Sequence, residues 1–301
     1  MFNLTIAQRK VVWAYVFLAI PIIFFLTIRI YPTFFAFRMS LFDYNPLSID
    51  QEFVGFENYT DIWEDLQKPR DPTRKAFENT VRYIAIGMPI QLLLGLGIAL
   101  MLNEIRRLNT FYRVIFFLPF VTSTIAIGWV FRWLYQPNTG LINVLLKAFS
   151  LPTQRFLGSP DQALYSITAV VVWQGLGFAV IIFLAGLKQI PNVYYEAARI
   201  DGASRWQAFR HITIPQLNPT IVYLLVLQSI AFLRMFAPVL AMTVQGDGGP
   251  LNSTTTVVLR VYREAFQSFN MGYAAALTVV LFGIILIVTI IQLAVTSRRT
   301  D

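Results

Sequence analysis

The densest run of residues able to do chemistry lies at positions 194–219, YYEAARIDGASRWQAFRHITIPQLNP. It offers Glu196 and Asp201 as carboxylates, Arg199, Arg205 and Arg210 as guanidinium groups, and His211 as the sole imidazole of the chain. No covalent chemistry follows from that set. One histidine and no cysteine exclude two-histidine metal sites, thiol nucleophiles and a disulfide framework. Neither H-E-x-x-H nor G-x-S-x-G occurs, so the protease and hydrolase signatures are missing. No G-x-x-x-x-G-K-[ST] occurs either, which makes Gly246, Gly248 and Gly249 turn formers and not a phosphate cradle. The chain is not expected to be an enzyme. What remains is non-covalent: charged contacts with a protein or with lipid headgroups, and polar contacts with a solute.

The local sequence says how the run is built. Asn192 is placed to cap a short helix over 193–200, and Ala197 and Ala198 are small, strong helix formers that let another surface come close. Gly202 suits a sharp turn. Ser204 with Gln207 three residues on reads as a capping box that starts a second helix. Trp206, Phe209 and Ile212 give that helix an apolar side, and Pro215 and Pro219 mark where the next apolar stretch begins. The expected product is helix, glycine turn, helix. Two readings of it stand: an amphipathic linker lying on headgroups with its arginines toward phosphates, or a compact knob that docks on another protein.

The elements around the run are apolar. Of 301 residues 56% are hydrophobic and 13% charged, with 26 Phe; a soluble domain carries about 25% charged residues. Six charge-poor stretches are long enough to cross a bilayer, which takes about 20 residues. They are expected as spans over about 11–30, 82–103, 113–132, 163–187, 212–240 and 271–297 of a single 1–301 transmembrane domain. In lipid the backbone must satisfy its own hydrogen bonds, so an all-α polytopic membrane fold follows. Residues 235–245, directly after Arg234, either continue the fifth helix or re-enter the bundle. Arg9 and Lys10 before the first stretch also fit a signal peptide, but Arg29-Ile30-Tyr31-Pro32 is no small-residue cleavage site, so an uncleaved first helix is expected.

Six spans put both termini on one side. The short segments of that side carry Arg9, Lys10, Arg106, Arg107, Arg113, Lys188, Arg199, Arg205, Arg210, Arg298 and Arg299 with few acids. The rule that weighs basic residues in short loops then places both termini and the 188–211 loop in the cytoplasm, with the 31–80 segment as an extracytoplasmic cap holding a short helix near 59–66. The net charge of +8 is thus an orientation signal at a membrane surface; no basic run or recognition motif points to nucleic acid.

Polar side chains inside spans are costly unless paired or lining a cavity. The residues in question are Trp173 and Gln174 in the fourth span, Tyr223, Gln228 and Ser229 in the fifth, and Thr122 to Thr124 in the third. Rings with amides and hydroxyls suit sugars, whose apolar faces are edged by hydroxyl groups. The competing reading is helix-to-helix bonding. Gly95, Gly97, Gly175, Gly177 and Gly186 are read as close-packing positions.

Glu196-Ala197-Ala198, Asp201-Gly202-Ala203, Ile212 and Pro215 resemble the EAA loop of permease subunits of ABC importers. Gly55-Phe56-Glu57-Asn58-Tyr59, Asn79-Thr80, Pro137 with Gly140 and Asn143, Ile190-Pro191 and Gly248-Gly249-Pro250-Leu251-Asn252-Ser253-Thr254 extend the likeness, over nearly the whole chain, to the carbohydrate branch of those permeases. The Pro137-Gly140-Asn143 pattern resembles the first of the two nonidentical permeases such importers carry. The resemblance implies a six-helix type I importer permease in the bacterial inner membrane. It implies a second homologous permease, two ATPase subunits that hold ATP and Mg, and an extracytoplasmic solute-binding protein, with no cofactor on this chain. It assigns ATPase coupling to Tyr195, Glu196, Ala197, Ala198, Asp201, Gly202, Ala203, Ile212 and Pro215, and makes the solute a di- or oligosaccharide, a glycoside or glycerol phosphate. One departure stands out: the branch often has an acid after the phenylalanine of the fifth helix, whereas Ala237 and Pro238 follow Phe236 here. The alternative is a secondary transporter or channel with no ATPase, but such proteins place ionisable groups inside spans, and these six are nearly free of them.

Overall fold

A computed structural model describes residues 5–48, 51–105 and 109–297, so Arg106, Arg107, Arg298 and Arg299 of the orientation argument lie outside the described residues. The elements run α1 (Ile6–Phe25), a π turn (Leu26–Ile30), α2 (Tyr31–Met39), β1 (Phe42–Tyr44), β2 (Gln51–Phe53), α3 (Glu57–Gln67), α4 (Pro72–Glu104), α5 (Asn109–Val121), α6 (Thr124–Leu134), α7 (Leu141–Ala148) and α8 (Pro160–Gln189). They continue with α9 (Asn192–Ile200), α10 (Arg205–Ala208), a second π turn (Phe209–Thr213), α11 (Ile214–Gln216), α12 (Asn218–Leu233), α13 (Ala237–Met242), α14 (Val257–Phe266) and α15 (Met271–Ser297). The chain divides into two compact units, Met1–Glu64 with Val261–Val280, and Asp65–Arg260 with Leu281–Asp301.

Four helices are long and apolar enough to cross a membrane, and two more spans result if each of two bent helix pairs counts as one. The fold is therefore the expected all-α polytopic one, but three of the apolar stretches differ from straight spans. The first runs on to Met39 as a 34-residue helix. Its π turn comes just before Pro32, the residue that would otherwise clash with a carbonyl one turn back. The helix thus continues into the segment expected as a cap from residue 31.

The third stretch is two helices, with 92° between the parts on either side of Thr122 and Ser123. Pro119 removes one helical N–H, and the Thr122 hydroxyl donates back to the Leu118 carbonyl at 2.9 Å, a bond that bends helices. The fifth stretch bends by 63° at Leu217, two residues before Pro219, and breaks again over residues 234–236. Its continuation α13 packs on α6, where Gly128 leaves room for the Ala241 side chain.

In the first unit β1 and β2 form an antiparallel hairpin with Phe42 opposite Phe53. Asn58, the second residue of α3, donates to the Ser40 and Phe42 carbonyls at 3.0 and 3.1 Å, and the Tyr59 and Ser40 hydroxyls are 2.6 Å apart. The Gly55-to-Tyr59 motif is thus a fastener for the hairpin.

In the second unit α4 packs along α8, with α5 and α12 against them. At 33 residues α4 is about 50 Å long, well beyond a hydrocarbon core of about 30 Å. Its polar first turns hold the segment 246–256. Asn79 donates to the Asn252 and Thr255 carbonyls, and the Thr80 hydroxyl accepts from the Val257 N–H.

Candidate functional site

The run at 194–219 folds into a knob fastened at its own turn. Pro191, not Asn192, occupies the N-cap position of α9, and Asn192 is its first helical residue. At the other end the Ala203 N–H reaches back to the Ala198 carbonyl at 2.8 Å, across Gly202 with φ +77°. Ser204 then opens α10 through a capping box: its hydroxyl accepts from the Gln207 N–H, and its own N–H donates to Gln207 Oε1 at 2.7 Å. The helix does not stay α. Pro215 cannot donate to His211, and the turn before it opens into the π segment, where His211 Nδ1 lies 3.0 Å from the Gln207 carbonyl.

Two contacts tie this knob to the bundle. The Tyr195 and buried Thr213 hydroxyls lie 2.9 Å apart, joining α9 to the π turn that leads into the fifth span. Tyr195 and Ile212 also pack on the apolar cluster of Ala99, Leu102, Phe183, Leu187, Leu217 and Leu224, contributed by α4, α8 and the fifth span. Glu196, Ala197, Asp201, Gly202 and Pro215 are exposed, while Ala198, Ala203 and Ile212 are half-buried. Ile200 is 86% and Trp206 66% exposed, a large apolar presence on a projecting turn. A hollow of about 670 Å³ beside the knob is lined by Glu104, Tyr195, Glu196, Arg199, Arg205 and Phe209, among others.

A second hollow, about 400 Å³, lies among α4, α8 and α12 where both broken stretches end. Gln91 of α4, Gln174 of α8 and Gln228 of α12 line it with Phe120, Thr124, Phe232 and residues 234–238. Helix breaks inside lipid need new partners for the freed backbone, and both breaks have one. Gln174 Nε2 donates to the Thr122 carbonyl at 3.2 Å and to the Thr124 hydroxyl at 3.1 Å. The Thr256 hydroxyl donates to the Met235 carbonyl at 2.7 Å. Gln91 is different. It is 1% exposed, and its buried Nε2 has no hydrogen-bond partner among the described residues. Gly175 leaves it space, since a Cβ there would run into that amide. Among the described residues Arg234 is the only ionisable one of the lining.

Trp173, Tyr223 and Ser229 stand apart from this cavity. Trp173 is exposed and packs on Phe131, with ring centroids 5.3 Å apart, and Tyr223 is half exposed. Ser229 is buried, donating to Met88 Sδ and accepting from Gln292 Nε2 at 2.6 Å, which makes it a helix-to-helix fastener. Among the described residues no group of three or more His, Asp or Glu is placed to hold a metal.

Residues 91–301 match the family of binding-protein-dependent transport system inner membrane components. The chain belongs to that family. A probable ABC transporter permease protein of Bacillus subtilis, YurN, is 32% identical over 95% of this chain and 96% of its own. The diacetylchitobiose uptake system permease protein NgcF of Streptomyces coelicolor is 33% identical over 92% and 80%. Among solved structures, a chain of a bacterial ABC transporter involved in the import of the acidic polysaccharide alginate superposes with a TM-score of 0.84 at 23% identity, covering 97% of this chain and 98% of that one. The fold is that of ABC importer permeases.

As a permease of this family, the chain shows which of its motif residues are fasteners. Asn143 donates to the Pro137 and Gln154 carbonyls at 3.0 and 2.8 Å and accepts from the Gln154 N–H, closing the loop over α7. Of the five glycines read as packing positions, Gly95, Gly175, Gly177 and Gly186 abut a neighbouring helix, whereas Gly97 has nothing within 4 Å of a would-be Cβ. Sequence reasoning missed Gln91. The signal was present, a lone amide in the apolar stretch after Pro89, but its burial in the cavity wall depends on α8 crossing it at Gly175.

Proposed function

We propose that this permease is the membrane-spanning subunit of an ATP-driven importer that takes a sugar or sugar derivative into the cell. In this reading the 188–211 loop lies in the cytoplasm and docks on an ATPase subunit, while the extracytoplasmic side receives solute from a binding protein. A second homologous permease completes the path, and ATP and Mg act on two ATPase subunits. Closure of the ATPases pulls the knob, and the bundle alternates between outward and inward openings.

The observation that carries the reading is the double attachment of the knob. Its exposed turn offers Glu196, Ala197, Ile200 and Trp206 to a partner, while Tyr195, Thr213 and Ile212 bind it to the cluster where three spanning segments meet. Force applied to the turn therefore reaches α4, α8 and α12 together. Glu196 has the part of a charge-paired contact with a basic residue of the ATPase, and Ala197 and Ala198 allow the close approach. Within the membrane, Gln174 and Gln228 face the cavity at the helix breaks, the arrangement transporters use for solute. The diacetylchitobiose uptake named for its relative NgcF supports the sugar class.

The test is reconstitution of the chain with its second permease, ATPase and binding protein in proteoliposomes. ATP-dependent uptake of labelled oligosaccharides is expected. Uptake that persists without the ATPase would refute the coupling. No observation favours a secondary transporter or channel.

A further inference from the structure

We infer that the cavity at the two helix breaks takes an acidic saccharide, with Arg234 meeting an anionic group such as a uronate carboxylate and Gln228, with Gln91 once its amide turns out from the wall, meeting hydroxyls. This deepens the sugar-import reading and rests on it.

Three observations meet at that cavity. First, its charge is unbalanced. Among the described residues Arg234 is the only ionisable one of the lining, and its exposed side chain makes no hydrogen bond or ion pair with any of them. The position that would most simply neutralise it, directly after Phe236, holds Ala237. A guanidinium offers a planar fork of donors that matches a carboxylate through two parallel bonds. A neutral sugar would leave that charge unmatched. Second, the wall holds a donor with nothing to donate to, closed off from the cavity until its amide swings out from Gly175. Gln91 Nε2 is buried and unpartnered among the described residues, while Gly175 keeps the space it occupies clear. A buried amide without a partner is destabilising unless something arrives to accept from it. Third, the wall is otherwise suited to a ring. Phe120 and Phe232 offer apolar faces, the Gln228 side chain is held by no hydrogen bond among the described residues, and about 400 Å³ falls within the range of small-ligand sites. Gln174 is excluded as a free donor, because its amide nitrogen already serves the Thr122 carbonyl and Thr124.

The test uses the complete importer in proteoliposomes, energised with ATP. The probes are uronate disaccharides of several linkages, each paired with its carboxyl-reduced neutral counterpart. Uronate uptake is expected to exceed that of the neutral partner by at least tenfold. Arg234→Gln should lower uronate uptake tenfold or more, and Arg234→Lys, which keeps the charge but not the fork, should restore only part of it. Ala237→Asp, which sets a carboxylate beside Arg234 without removing any cavity group, should narrow the preference toward neutral sugars. Equal or better uptake of the neutral partners would overturn the inference and leave the sugar-import reading standing. Loss of both probes alike in Arg234→Gln, or loss of complex assembly, would overturn it too, by making Arg234 a partner-subunit contact. Failure to carry any saccharide of either charge would remove the sugar-import reading and this inference with it.

Discussion

The hydroxyl of Tyr195 sits 2.9 Å from that of Thr213, across the turn of the projecting knob. This hydrogen bond joins the first helix of the loop to the segment leading into the fifth span, and its Thr213 end is buried. Tyr195→Phe removes it while keeping the ring that packs on the apolar cluster. A net hydrogen bond is worth about 1 kcal/mol, roughly a fivefold bias in the attachment. Solute moved per ATP hydrolysed should fall a few-fold in proteoliposomes while the ATPase still co-purifies. An unchanged ratio would mean that packing alone transmits the pull.

Gly202 separates two causes that sequence alone merges. Its φ of +77° disfavours any side chain, yet nothing lies within 4 Å of a would-be Cβ. In the isolated permease Gly202→Ala and Gly202→Phe should therefore lose similar stability, roughly 1–2 kcal/mol from the left-handed backbone, and Gly202→Asn less. In the assembled importer the phenylalanine variant should retain much less ATPase than the alanine variant, because only a docked surface makes bulk costly. Equal retention would leave the turn undocked.

Legibility in the sequence followed the range of the physics. The capping box at Ser204 and Gln207 is written in four adjacent residues and forms as read, and the fold class follows from the apolar stretches themselves. The breaks were not legible, because what holds them is long-range. Three apolar stretches hold a π turn or sharp breaks near Pro32, Pro119 and Pro219, and in the third and fifth a freed carbonyl takes its donor from farther along the chain. Met235 receives its partner from Thr256, and Thr122 from Gln174, 52 positions away. Ser229 shows the same limit from the other side: its type fits a solute contact, and only the position of Gln292 makes it a fastener.

Gln174 has a structural duty that can be weighed. Gln174→Leu leaves the Thr122 carbonyl without its donor at the 92° break. The expected loss is about 1–2 kcal/mol, read as a melting temperature in detergent lowered by a few degrees. Gln174→Glu, which lacks the donor but keeps the shape, should fall at least as far. A melting temperature unmoved in both would mean the break is held by packing of α5 on α8 alone.

Gln91 should behave in the opposite way. Its buried Nε2 bonds to nothing among the described residues, so an apolar side chain of similar size removes an unsatisfied donor without removing a bond. Gln91→Leu is expected to leave the melting temperature unchanged or raised, corresponding to about 0–3 kcal/mol, while ATP-driven uptake falls several-fold. Stability and transport moving in opposite directions is the signature of a group kept for the solute. A variant that is more stable and carries solute as well as the parent would show instead that the amide is a defect of packing opposite Gly175, with no part in the path.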